Sequence, residues 1–98
     1  MAASSGMPAT LDLLGRRWAL RLVWELRRDA IPFTALRERL EISPSVLSAR
    51  LRDLAAMGVV ERDPGRRYRL TGSGRELARL LYEVNRWASR GAEVSSQG

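Results

Sequence analysis

The chain has 98 residues, 45% of them apolar, and a formal net charge of +6 from 17 basic and 11 acidic side chains. That length makes one domain with a modest core, and the apolar share separates it from disordered chains. Cysteine and histidine are both absent, which excludes a disulfide framework, thiol redox sensing, cysteine metal sites and histidine general-base catalysis.

Every basic residue is an arginine. GC-rich coding is the plain source of such a bias, but a small domain this basic usually meets an anionic polymer. The opening MAASSGMPAT has neither the basic nor the apolar region of a signal peptide. No apolar run approaches the roughly 18 residues of a membrane span. A cytoplasmic protein without membrane partner, metal or cofactor is expected.

In chain order, residues 1–9 read as a flexible arm. Thr10 is placed to cap a short turn, Leu11–Leu14, ending at Gly15. From Arg16 to Arg28 the pattern is helical. Trp18, Leu22 and Leu26 fall on one face, and Leu20 and Trp24 on the opposite one. A helix apolar on two sides is packed on two sides, the second against another subunit. Ile31-Pro32-Phe33 is long enough only for an isolated bridge. Thr34–Leu40 is a second helix, and Glu41-Ile42 a tight connection. Ser43-Pro44 is a strong helix start: serine accepts from orphan backbone donors, and proline lacks the N–H that would be orphaned. The third helix runs to about Met57 and stops at Gly58.

Residues 59–63 and 66–70 read as two strands. Asp63-Pro64-Gly65-Arg66 joins them, with Pro-Gly suited to the centre of a type II turn and positive φ at Gly65. Tyr68 and Leu70 share one strand face, Arg67 and Arg69 the other. Thr71 caps a last helix from Gly72 to about Gly91. Its apolar residues, Leu77, Leu80, Leu81, Val84, Trp87 and Ala88, form a helix-pairing seam. The domain is thus 10–91, with a frayed tail at 92–98.

Helix, helix, tight turn, helix, basic hairpin, helix is the order of a winged helix-turn-helix: mainly α with one small β-hairpin. There the third helix enters the major groove and the hairpin lies on the backbone or minor groove. Leu47, Leu51 and Leu54 point to the core, leaving Ser45, Ser48, Ala49, Arg52 and Ala56 outward. Small residues for close approach plus donors for phosphates and base edges suit DNA reading; an ordinary solvated face is the alternative. Arg50, at the edge of the core face, is placed for a phosphate or for Asp53 or Glu61. Arg66 and Arg67 crowd the wing tip, where arginine suits phosphates and narrow minor grooves. Arg16 and Arg17 read as a solvated turn.

The runs LDLLGRRW at 11–18, PFTALRERL at 32–40, ISPSVLSARLRDLAAMGVVER at 42–62 and YRLTGSGREL at 68–77 resemble the HxlR-type winged helix-turn-helix regulators. The resemblance implies a dimeric DNA-binding repressor or activator with dimer contacts from the first and last helices. It makes Ser43 the cap, Ser45 to Arg52 the recognition stretch, and Arg66 and Arg67 part of the wing. Three departures stand out. Ser5 lies near the place where family members often carry a cysteine, some using it as a redox sensor. Ser45 and Ala49 stand where many members have a basic residue and a glutamine. The Pro64-Gly65 wing tip is short.

The DNA-contacting set expected from the sequence is therefore Ser43, Ser45, Ser48, Ala49, Arg50, Arg52, Arg66 and Arg67. The dimer set is Leu20, Trp24, Leu77, Leu80, Leu81, Val84 and Trp87. The partners are double-stranded DNA with a pseudo-palindromic operator and a second copy of the chain. Catalysis is not expected, because the carboxylates are scattered among arginines at helical spacing and GSGREL lacks the P-loop lysine. A winged helix turned to protein binding would show an apolar or acidic third-helix face, and this one is neither. The competing function is an aromatic-ligand-binding dimer, responsive to or sequestering a small molecule between Trp24 and Trp87. Simple core packing of those tryptophans stands against it.

Overall fold

A computed structural model describes residues 2–97, with side chains from 6 to 91. The elements are α1 (Ala2–Leu14), α2 (Ala19–Glu25), β1 (Ile31–Pro32), α3 (Phe33–Leu40), α4 (Pro44–Ala56), β2 (Val60–Arg62), β3 (Arg67–Leu70) and α5 (Gly72–Gln97). The three strands form one antiparallel sheet in the order β1-β3-β2. This is the mainly helical winged helix-turn-helix expected from the sequence.

One core joins α2, α3, α4, the sheet and the start of α5. Leu22, Leu36, Leu47 and Leu54 are fully enclosed, with Leu26, Leu51, Val59, Val60, Leu70 and Ala78 around them. Each such leucine contributes about 1.5–3 kcal/mol over its exposed state. Trp18 packs against this core from a left-handed backbone, φ 80, and so starts α2 later than the periodicity predicts. The helix covers Ala19–Glu25, not residues 16–28.

Several boundaries differ from the sequence reading. The segment expected as a flexible arm is helical from Ala2 onward. Thr10 is not a cap; its hydroxyl donates back to the Gly6 carbonyl one turn earlier, at 2.9 Å. Ile31 and Pro32 form a true edge strand, paired with Tyr68 and Arg67, and α5 continues through the expected frayed tail to Gln97.

Both ends of α4 follow the expected chemistry. The Val46 N–H donates to the Ser43 hydroxyl at 3.3 Å, with Pro44 at the first helical position. At the other end Gly58 adopts φ 73. The Val59 N–H donates to the Leu54 carbonyl and the Gly58 N–H to that of Ala55. This paired closure of a helix end needs a left-handed residue, the reason for glycine here.

Thr71 ties the wing to α5. Its hydroxyl accepts from the Gly74 N–H at 3.0 Å and donates to the Gly58 carbonyl, while its own N–H donates to the Val59 carbonyl at 3.0 Å. Gly74 permits this approach, because a Cβ there would overlap the Val59 carbonyl oxygen.

Candidate nucleic-acid interface

The helix-turn-helix is made by α3 and α4, joined through Glu41 in a left-handed conformation, φ 52. That one residue redirects the chain so that Leu40 and Ile42 both reach the core. The outer face of α4 then presents Ser45, Val46, Ser48, Arg52, Ala55 and Ala56 to solvent. Ala49, expected outward, is half-buried. Val46 and Ala55 were not among the sequence candidates, although both neighbour the polar stripe on the helical wheel.

Arg50 takes one of its expected alternatives, a place beside Asp53, and not the phosphate-facing one. Its Nε lies 3.2 Å from Asp53 Oδ2 without a well-aligned hydrogen bond, and the side chain is only 20% exposed. Arg16 donates to the same carboxylate oxygen at 3.1 Å. Arg16 is therefore not in a merely solvated turn; it braces the turn before α2 against α4. Asp53 neutralises much of both charges, so Arg50 orients α4 and is not free for phosphate.

The wing closes differently from a type II turn. The Arg66 N–H donates to the Asp63 carbonyl at 3.0 Å and the Asp63 N–H to the Arg67 carbonyl at 2.8 Å. The positive φ falls on Arg66, φ 65, and not on Gly65. This is a three-residue hairpin loop whose last residue is left-handed, a place where glycine is preferred.

Asp63 explains why the strain is tolerated. Its side chain is buried at 4% exposure. Its Oδ1 accepts the Arg67 backbone N–H at 2.9 Å, and its Oδ2 accepts Arg67 Nε at 2.9 Å, with Arg67 Nη2 also 2.9 Å away. The Arg67 backbone N–H is the largest influence holding this carboxyl below its ordinary pKa. Burial opposes it, and the Arg67 side-chain hydrogen bond and charge reinforce it. Arg67 is thus a wing brace, not the free phosphate clamp expected. Arg69 likewise donates to Glu61 across the strand pair at 2.8 Å.

Among the described residues, Arg52 and Arg66 have no ion-pair partner. Between α4 and the hairpin runs a groove of about 360 Å³ lined by Ser48, Leu51, Arg52, Ala55, Val60 and Tyr68, among others. Arg62 stacks over the Tyr68 ring, 5.4 Å from its centroid. A polar, small-residue helix face and a basic hairpin therefore share one side of the molecule.

The expected dimer residues divide into two groups. Leu77 and Leu81 lean on the chain's own core, and Leu20 and Trp24 are half-buried. Leu80, Val84 and Trp87 stay exposed at 63%, 55% and 68%. Trp24 lines two grooves beside α5, and Trp87 lines neither of them. On α1, Met7 and Leu11 are also exposed, at 59% and 60%. The sequence reading missed them, though Met7, Leu11 and Leu14 keep helical spacing.

No helix is long and apolar enough to cross a membrane among the described residues. Residues 13–96 match the family model described as HxlR-like helix-turn-helix. The chain is 36% identical over 92 residues to YvaP of Bacillus subtilis, described as an uncharacterised HTH-type transcriptional regulator; the match spans 87% of this chain and 85% of that protein. Its fold is similar to that of quinone-bound YodB from B. subtilis, with a TM-score of 0.79, 30% identity, and 87% and 96% of the two chains covered. It is similar also to a MarR-family transcriptional regulator from Enterococcus faecalis V583, with a TM-score of 0.84, 26% identity, and 97% and 93% covered. With that family match laid over the capped third helix and the Asp63-braced wing, the chain belongs to the HxlR-like helix-turn-helix family and is a winged-helix, DNA-binding transcriptional regulator.

Proposed function

We propose that the chain binds double-stranded DNA sequence-specifically, as a homodimer, at a pseudo-palindromic operator. The observation that carries this reading is the contrast between occupied and free cations. Arg50 and Arg67 are tied to Asp53 and Asp63, while Arg52, on the outer face of α4 with Ser48, and Arg66, at the wing tip, are exposed and have no ion-pair partner among the described residues. In this reading α4 lies in the major groove, with Ser45, Ser48 and Arg52 toward base edges, Val46 toward a thymine methyl, and Ser43 and Arg66 at the backbone.

The homodimer is supported by the large apolar side chains that one protomer leaves exposed on two of its helices. Leu80, Val84 and Trp87 on α5 and Met7 and Leu11 on α1 are all more than half exposed. At about 1.5–3 kcal/mol per large side chain, joining two such faces makes a stable pair. Sedimentation equilibrium and anisotropy of a labelled duplex test the two parts separately. The expected results are a dimer at micromolar concentration and binding that prefers duplex DNA to RNA. A well-folded monomer, or equal affinity for any polyanion, would contradict the reading.

A second reading adds a planar, apolar effector at the dimer seam. What favours it is an open groove of about 500 Å³ on that side of α5, lined chiefly by Leu20, Trp24, Leu81, Val84 and Ala88. Trp87 would reach it from the partner's α5. A solved neighbour, YodB, is quinone-bound; with no cysteine in this chain, a ligand here is held without a thiol adduct. Quenching of tryptophan fluorescence by neutral planar compounds, lost in Trp24→Ala and Trp87→Ala dimers, is the expected result. Quenching retained in both variants would contradict it.

A further inference from the structure

A second concave surface lies on a different side of α5. It has a volume of about 380 Å³ and is lined by Trp24, Arg27, Arg28, Arg75, Arg79 and Tyr82, with Ala78 at its floor. Arg75, Arg79 and Tyr82 are spaced i, i+4, i+7 and share one stripe of the helix. Val84 and Leu77 belong to the opposite stripe, since Leu77 is about 200° around the helix from Arg75. Burying Leu80, Val84 and Trp87 in a dimer therefore leaves the Arg75, Arg79 and Tyr82 stripe open, and Trp24 lies between the two, lining both this pocket and the seam groove.

Four arginines line this pocket and no carboxylate residue does. None of Arg27, Arg28, Arg75 and Arg79 forms an ion pair among the described residues. Asp29, adjacent in sequence, lines the neighbouring groove together with Arg27, Arg28 and Arg75 but forms no ion pair with them. Two of the four are held by backbone: Arg27 Nη1 donates to the Trp24 carbonyl at 2.9 Å, and Arg75 Nη1 to that of Leu70 at 3.3 Å. Arg27 also sits over the Trp24 ring, 4.0 Å from its centroid. Arginine is a cation at physiological pH, so four like charges line a pocket that also holds two aromatic rings and no carboxylate.

We infer that this pocket binds a small planar aromatic carboxylate, its ring against Trp24, Arg27 and Tyr82 and its carboxylate forked by Arg75 and Arg79. The carboxylate geometry matches guanidinium donors in bidentate fashion, and the ring gains stacking and cation–π contact. The volume suits a one- or two-ring molecule. DNA phosphate is the other anion at hand, but the pocket is badly placed for it. Strand β3 runs from the wing tip at Arg66 to Leu70, and Arg75 is anchored on the Leu70 carbonyl. The pocket is therefore at the end of the sheet away from the tip.

Calorimetric titration of the full chain with 2-naphthoate, 2-naphthamide and acetate tests the inference. Expected is saturable binding of 2-naphthoate, with 2-naphthamide and acetate each weaker by about tenfold or more, since each lacks one of the two contacts. The double variant Arg75→Gln/Arg79→Gln, checked for an unchanged unfolding transition, is expected to weaken 2-naphthoate by a similar factor. If that variant does not fold, Arg28→Gln at the exposed rim reads the same charge and should weaken binding severalfold. Equal binding of the amide, or full affinity in the variants, overturns the proposal. So does a double variant in which naphthoate never bound but the salt slope of duplex binding falls by about two, which would make these arginines phosphate contacts.

Discussion

Replacing Gly74 by alanine probes the joint that fixes the wing against α5. An added Cβ would overlap the Val59 carbonyl oxygen and lie 3.1 Å from Leu70 Cβ. That oxygen cannot easily retreat, because it accepts the Thr71 N–H at 3.0 Å. Helix α5 must therefore move off β2, which weakens the Gly74 N–H to Thr71 hydroxyl cap. Overpacking of this kind costs about 1–3 kcal/mol, and loss of a cap about 1 kcal/mol more. Alanine's helix propensity returns at most about 1 kcal/mol, so the net loss is roughly 2 kcal/mol. Urea unfolding followed by circular dichroism measures it. Gly91→Ala is the control: it is on the same helix with nothing within 4 Å of its would-be Cβ, and should leave stability unchanged or raise it by up to about 1 kcal/mol. A Gly74→Ala protein as stable as the parent would refute the close-approach argument. Equal losses in both variants would place the effect in α5 as a whole.

Other expectations follow from the wing and the recognition helix. Arg66→Gly relieves a left-handed non-glycine residue, φ 65. It should stabilise the fold by about 1 kcal/mol in the same urea assay while reducing the salt slope of duplex binding by about one. Asp63→Asn removes the Arg67 ion pair and should destabilise the protein at neutral pH. Because the folded carboxyl is held below its ordinary value, the parent's advantage is present above about pH 4 and is lost as pH falls through the folded value. A stability difference between parent and variant that is unchanged down to pH 2 would contradict the pairing. Arg52→Ala, measured against matched and scrambled duplexes, should relax base preference as well as affinity. An equal loss on all sequences would assign Arg52 to phosphate alone.

The sequence made α4 legible because both of its ends carry local chemistry: Ser43-Pro44 to start it and Gly58 to close it. The order of elements followed from such local signals, and so did the outward placement of Ser45, Ser48 and Arg52. Other features were hidden by interactions that no local pattern encodes. Pro64-Gly65 advertises a type II turn, but the Asp63 carboxylate captures the Arg67 backbone and side chain, and the left-handed residue becomes Arg66. Asp53 was already among the expected partners of Arg50, but the hold of Arg16 on the same carboxylate comes from 37 positions away. Gly6 and Pro8 are poor helix formers, so residues 1–9 read as an arm and only Leu11–Leu14 as a helical turn, despite the spacing of Met7 and Leu11. The pocket of Arg27, Arg28, Arg75 and Arg79 assembles residues from α5 and from the segment that follows α2, and on each segment the arginines alone look like a solvated face.

Selection of bound duplexes from a random DNA library by the purified protein tests the central claim most directly. Sequence-specific binding by a two-fold pair of α4 helices predicts enrichment of an inverted repeat. Its half-site centres should lie about 34–36 Å apart, one turn of the duplex, or at a multiple of that spacing. A library that shows no enrichment, or enriches sites without two-fold symmetry, would contradict the account.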